Sequence, residues 1–148
     1  MKDKFFVGQR EATIDVKRRM SISSPFMDVL RSINQNHLYL NKYSETLSDT
    51  TYPILGLKTS LYCPEEMFFR GEEKIKDYLM RDYSSSKLEI DKQNRILIPE
   101  GFLGHLRKGS QGPMKVIQTG LVNMICVWNP EDFKDWESRT PAIKQIRP

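Results

Sequence analysis

The sequence predicts a mainly β fold with short helices, built from two similar units in one chain. Three observations predict it. A stretch near the N-terminus, EATIDVKRRMSISSPF at residues 11–26, returns as KLEIDKQNRILIPEGF at residues 87–102. Aligning Asp15 on Asp91 sets a shift of 76 positions, which also pairs Ile14 with Ile90, Arg19 with Arg95, Ile22 with Ile98 and Phe26 with Phe102. Within each copy apolar and polar residues alternate at period two, the pattern of half-buried strands. Finally, a chain of 148 residues, 39% hydrophobic and 28% charged, is long enough to bury a core. It carries no apolar run near the roughly 20 residues of a membrane span.

The elements follow in the same order in each copy. A short strand places Ala12 and Ile14, or Leu88 and Ile90, on one face. A three-residue loop then leads to a second strand. In that strand Met20 and Ile22, or Ile96 and Ile98, face inward while Arg19 and Arg95 face outward. A short helix is predicted at 25–33 and again at 99–108. Two further strands follow, near 52–55 and 61–63 in the first copy and at 115–119 and 124–128 in the second. A weaker echo supports them: Leu61 to Glu66 resembles Val127 to Asp132, and Gly56-Leu57 resembles Gly120-Leu121. The surplus in the first copy falls in residues 32–52, polar around SETLSDTT, and reads as a loop insertion. Pro64-Glu65-Glu66 predicts a helix to about Arg81, with proline in the first turn and acids at the N-terminal dipole end. The chain past Phe133 reads as a short charge-balanced tail.

The paired loops carry the chemistry. Asp15 and Arg19 flank DVKRR, and Asp91 and Arg95 flank DKQNR, so each acid can pair with its arginine where the strands leave the turn. The third loop residue commonly takes a left-handed backbone, which Asn94 tolerates more readily than Arg18. An arginine pinned this way presents its fork away from the sheet, suited to a phosphate or a guanine edge. One such pair alone reads as a hairpin staple on a solvated face. Two in matching hairpins make one composite basic surface, with Lys17, Arg18 and Arg10 in the first copy and Lys92 in the second. The net charge of +4 is modest, but its placement is not even. Residues 1–31 hold seven Lys and Arg against four Asp and Glu, and residues 87–108 hold five against three.

Other candidates are weaker. His37, His105, Cys63 and Cys126 lack the spacing of a zinc site. Glu65-Glu66 and Glu72-Glu73 read as a solvated helix face with ion pairs to Arg70, Lys74 and Lys76. RKGSQGP lacks the phosphate-loop pattern. No nucleophile–base set is visible, so no catalytic residue, metal or cofactor is assigned. Trp128, Phe133 and Trp136 read as apolar anchors of the last strand or of a subunit contact, ahead of stacking on bases. Two cysteines and a charged N-terminus, MKDKFFVGQREATID, fit a cytoplasmic protein.

The stretches TIDVKRRMSIS with Pro25-Phe26, LEIDKQNRILIPEGF and MICVWNPEDFKDW together resemble the MraZ family of bacterial transcriptional regulators, from about Phe6 to Trp136. That family belongs to the AbrB-like swapped-hairpin DNA-binding proteins. The resemblance implies a pseudo-dimeric, double-split β-barrel of two AbrB-like repeats: 6–65 the first, 66–85 a helical linker, 86–133 the second and 134–148 a tail. It implies a sequence-specific double-stranded-DNA-binding regulator of a cell-division and cell-wall gene cluster, cytoplasmic and nucleoid-associated, assembled as a homo-oligomeric ring on repeated short sites. It takes no small-molecule substrate and meets no membrane. Arg19 and Arg95 would contact DNA, with Lys17 and Lys92 beside them and Asp15 and Asp91 orienting. Departures are Arg18 and Asn94 in place of glycine, Ser23 in place of the proline kept as Pro99, a shorter linker and the 32–52 insertion. The alternative is an antitoxin-like or other protein-binding module on the same barrel, which would want a longer arm than the residues after Trp136.

Overall fold

A computed structural model of the chain describes residues 6–59, 86–106, 112–121 and 124–140. Eight strands form one sheet: β1 (Gln9–Ile14), β2 (Arg19–Ser21), β3 (His37–Leu47), β4 (Thr50–Lys58), β5 (Ser86–Glu89), β6 (Arg95–Leu97), β7 (Met114–Leu121) and β8 (Met124–Trp128). Three helices accompany them: α1 (Ser24–Ser32), α2 (Glu100–Leu106) and α3 (Pro130–Ser138). The strand order is β5-β3-β4-β8-β7-β1-β2-β6, antiparallel at every junction. Its two ends, β5 and β6, are consecutive in sequence and joined by Asp91 N–H donating to the Arg95 carbonyl at 2.9 Å. The sheet thus curls into a nearly closed barrel.

The hairpins are exchanged between the repeats. β1 of the first copy pairs with β7 of the second, β5 of the second pairs with β3 of the first, and β2 pairs with β6. Neither repeat could bury its apolar faces alone. Met20 pairs with its own counterpart Ile96, which marks the local two-fold axis. The ladders give the other equivalences. Val116 sits opposite Ala12 as Leu38 sits opposite Leu88, so Gln118 is the counterpart of Leu40. Leu40 pairs with Leu57 and Gln118 with Val127, so Gly56 and Cys126 correspond, and they too face each other across β4 and β8.

Inward residues follow the predicted alternation. Ile14, Met20, Ile22, Ile96 and Ile98 are buried with Leu40, Leu57, Val116 and Val127, and Phe26, Leu30, Leu103 and Leu106 cap the barrel from α1 and α2. A second apolar cluster lies on the outer side of β4 and β8, where Tyr52, Ile54, Met124, Cys126 and Trp128 meet Phe133 of α3. Every residue of β8 is therefore buried, on both faces.

Three expectations change. The stretch at 32–52 is not a loop: it holds all of β3, which turns at Ser48 (φ 55°) into the start of β4. From Leu40 the strand runs on to Leu47, whereas from the equivalent Gln118 strand β7 ends at Leu121, so the insertion lengthens a hairpin. Threonines suit an extended strand, and Thr46 and Thr51 pair across it on its exposed face. The proposed echo of Gly56-Leu57 in Gly120-Leu121 also gives way, because the register makes Cys126 the counterpart of Gly56. Where a tail was expected, α3 forms: Asn129 accepts the Glu131 amide at 2.9 Å, Pro130 opens the helix, and Glu131 and Asp132 occupy its first turn. The strand expected at 61–63 and the helix and linker expected across 64–85 lie outside the described residues.

Candidate nucleic-acid interface

Each hairpin loop is organised by its aspartate. In the first copy one Asp15 carboxylate oxygen accepts the amides of Lys17 at 2.9 Å and Arg19 at 2.8 Å, and the other accepts Arg19 Nε–H at 2.9 Å. In the second, Asp91 takes the amides of Gln93 at 2.8 Å and Arg95 at 2.9 Å, and Arg95 Nε–H at 3.1 Å. The two loops are built alike despite sharing only their end residues. The Arg19 amide, ahead of its guanidinium, holds the Asp15 carboxyl below the usual carboxylate range. The Arg95 amide does the same for Asp91, helped by the Gln93 amide and the Arg95 guanidinium.

The third loop residue is left-handed in both copies, Arg18 at φ 65° and Asn94 at φ 63°. Arg18 accepts this strain because the loop fixes it from two sides. Its amide donates to the Asp15 carbonyl at 2.9 Å, and its own carbonyl accepts the Ile98 amide of the other repeat at 2.8 Å. Asn94 mirrors this, taking the Ile22 amide at 2.9 Å. Each loop is thus bonded to the opposite copy, and the two are held side by side as one surface.

On that surface Arg19 pairs with Leu97 and Ser21 with Arg95 across β2 and β6. With Met20 and Ile96 inside, these four side chains all point outward, and the two arginines are diagonal neighbours, about 7–8 Å apart. Each guanidinium spends Nε on its aspartate. Its two terminal nitrogens have no partner among the described residues. A two-stranded ribbon carrying two braced, outward-facing forks matches the width of a DNA major groove.

The remaining predicted residues divide. Lys17, Arg18 and Lys92 lie in the loops beside the arginines, with Lys17 and Lys92 exposed. Arg10 lies at the far end of β1, about 16 Å along the strand from Asp15, and donates to the Gln9 carbonyl at 3.2 Å. One residue that local pattern could not indicate joins them: Arg31, in the last turn of α1, reaches Asn94 Oδ1 at 3.4 Å. Elsewhere, His105 Nε2 lies 2.7 Å from the Tyr43 carbonyl and His37 contacts Gln35 and Asn36. Burial pushes the Cys126 thiol up to about 11, so it stays protonated in an apolar cleft of about 440 Å³ under α3. Among the described residues no group of acids, histidines or cysteines is placed to hold a metal ion. None of the described helices is long and apolar enough to cross a membrane.

The exchanged hairpins and paired aspartate–arginine loops define a swapped-hairpin β-barrel of the AbrB-like class. Comparison with known proteins narrows the class. Residues 84–145 match a family model described as "MraZ protein, putative antitoxin-like". Over the whole chain the sequence is similar to the "Transcriptional regulator MraZ" of Geobacter sulfurreducens, 26% identical over 159 aligned positions that cover 95% of this chain and 98% of that protein. Both similarities are to proteins described as MraZ.

Proposed function

We propose that this protein is a sequence-specific double-stranded-DNA-binding transcriptional regulator that engages DNA through the β2–β6 ribbon. The observation that carries the reading is the matched pair of guanidiniums, each braced through Nε and each with its terminal nitrogens presented outward. The name of the Geobacter relative supports the same reading. Arg19 and Arg95 take base edges or phosphates bidentately, Asp15 and Asp91 hold them ready, and Lys17, Arg18, Lys92 and Arg31 neutralise flanking phosphates. Arg10, distant from the loops, contributes less. The work done is binding, not catalysis. It takes place at the nucleoid, on promoters of a cell-division and cell-wall cluster. A single ribbon makes few phosphate contacts, so tight binding comes from several copies, in a ring, on repeated short sites.

The test is a gel shift with the DNA upstream of the protein's own gene. Each bidentate contact is worth about 1–3 kcal/mol, so Arg19→Ala with Arg95→Ala costs on the order of 100-fold in affinity or more. Lys17→Ala or Lys92→Ala lowers the salt slope by about 0.9 each. Unchanged affinity in the double arginine variant, with its circular dichroism intact, overturns the reading.

A further inference from the structure

The two ends of the ribbon are related by the barrel's two-fold axis, yet they agree only at their aspartates and arginines. Around Arg19 lie Val16, Lys17, Arg18 and, across the strand pair, Leu97. At the equivalent places around Arg95 lie Lys92, Gln93, Asn94 and Ser21. Leu97 is 51% exposed, although its neighbours Ile96 and Ile98 are 1% and 0% exposed. It is an apolar side chain held outward on the same face as the two guanidiniums whose terminal nitrogens are presented outward, directly opposite one of them. It joins neither apolar cluster of the described residues. The cations around it select a polyanion, and the apolar groups a polyanionic duplex offers in its major groove are the 5-methyl groups of thymine.

Resting on the DNA-binding reading, we infer that Leu97 is a specificity-determining residue that packs on a thymine methyl next to the base contacted by Arg19. Ser21, its counterpart, offers a hydroxyl and reads no methyl. The ribbon therefore discriminates its two half-contacts: one end reads a guanine-type edge beside a thymine methyl, the other a guanine-type edge alone. A barrel with two-fold symmetry in its backbone lies on its site in a single orientation.

The experiment uses the full chain and a bound DNA fragment in which each thymine is replaced, one at a time, by deoxyuridine, which deletes only the methyl. For the wild type, one replacement per site lowers affinity about fourfold, the effect of one buried methyl group. In Leu97→Ser that replacement has no effect while the other positions keep their profile, and in Leu97→Met, which restores an apolar contact, the sensitivity returns. A uracil profile in Leu97→Ser identical to the wild type's overturns the inference and leaves the DNA-binding reading standing. So does an unchanged profile accompanied by a lower mass in light scattering, which would make Leu97 a contact between copies. Failure of the wild-type protein to bind any duplex overturns both.

Discussion

Ser23 and Gln118, from opposite repeats, are joined by a 2.7 Å hydrogen bond from the serine hydroxyl to the glutamine carbonyl oxygen. The Ser23 amide reaches the same oxygen at 3.2 Å, and Gln118 Nε2 donates to the Ser21 carbonyl at 2.8 Å. Gln118 is fully buried. At the related place in the other copy stand Pro99 and Leu40, a pair that needs no hydrogen bonds. One copy thus uses a polar clip where the other uses an apolar one. Because the clip is spent on Gln118, Ser23 makes no side-chain cap for α1.

The clip predicts a paired outcome. Gln118→Leu strands the Ser23 amide and hydroxyl and the Ser21 carbonyl, and costs about 1–3 kcal/mol in urea denaturation. Adding Ser23→Pro removes the amide and hydroxyl together. The backbone at Ser23, φ −57° and ψ 144°, already suits proline. The double variant recovers at least half of the loss. A double variant that is less stable than Gln118→Leu would show that the two clips are not interchangeable.

Acid should weaken the loops from one side only. Asp15 and Asp91 have carboxyls below the ordinary value of 3.8 in the folded chain. Their contribution is therefore complete above about pH 3.8 and is lost as pH falls through the lower folded values. Hydrogen exchange at the Lys17, Arg19, Gln93 and Arg95 amides, corrected for intrinsic rates, is flat from pH 5 to 8 and rises only in stronger acid. Asp15→Asn with Asp91→Asn removes that acid step and leaves the arginines unbraced at every pH. Its DNA affinity falls on the order of tenfold, from ordering two long side chains only on binding.

Much of this fold is legible in the sequence, and the reason is redundancy. The shift of 76 positions is written twice in apolar rhythm and twice in charge, so β1, β2, β5 and β6 and both arginines follow from it. What failed had one weak signal. Residues 44–46 and 48–51 are polar because the hairpin runs on past the strands that close the barrel, and its apolar residues Tyr43, Leu47 and Tyr52 pack on the outer cluster, which a single-sequence window does not reveal. The start of α3 carries a signal in Asn129-Pro130-Glu131-Asp132, the same pattern as Pro64-Glu65-Glu66, but its nine residues bury only Asp132 and Phe133 and part of Trp136. Gln118 and Arg31 act across the chain on residues that no local window contains. Leu97 reads as one more strand residue, since alternation alone does not say which outward positions lie beside the paired arginines.

The extended hairpin and α3 are tied at the surface. Tyr52 Oη donates to Asp135 at 2.5 Å, and Arg139 reaches Thr50 Oγ1 at 2.7 Å, Asp49 at 3.5 Å and Asp135 at 3.6 Å. The pull of the Asp135 carboxylate keeps the Tyr52 phenol above its usual range. Arg139→Ala should cost no more than about 1 kcal/mol, as exposed ion pairs do. Trp128→Ala should cost about 3–5 kcal/mol, since its indole packs 5.4 Å from Phe133 and 5.2 Å from Trp136. Thermal denaturation followed by tryptophan fluorescence in the first variant and by circular dichroism in both separates the two; equal losses would mean that the polar strap, not the aromatic stack, holds α3.

Among the described glycines, Gly120 has the closest approach to another stretch of backbone. A Cβ placed there would lie 2.4 Å from the Phe6 carbonyl carbon and from the Val7 nitrogen, both backbone atoms. The Gly120 amide also donates to the Gly8 carbonyl at 2.8 Å. Phe6, 1% exposed, stands edge-on to Phe26 at 5.6 Å, so this approach seats the N-terminal segment on the core. At Gly56 the crowding comes instead from the Tyr43 ring and the Met124 sulfur, which can turn aside. Gly120→Ala should therefore be the more damaging of the two. Its backbone neighbours cannot yield without lifting Phe6, and the loss approaches the 3–5 kcal/mol of a deleted core phenylalanine. Gly56→Ala should stay near the 1–3 kcal/mol of an overpacked core. Phe6→Ala combined with Gly120→Ala should cost little more than Phe6→Ala alone, because both remove the same seated ring. Fully additive losses would show that the glycine serves β7 and not the segment laid across it.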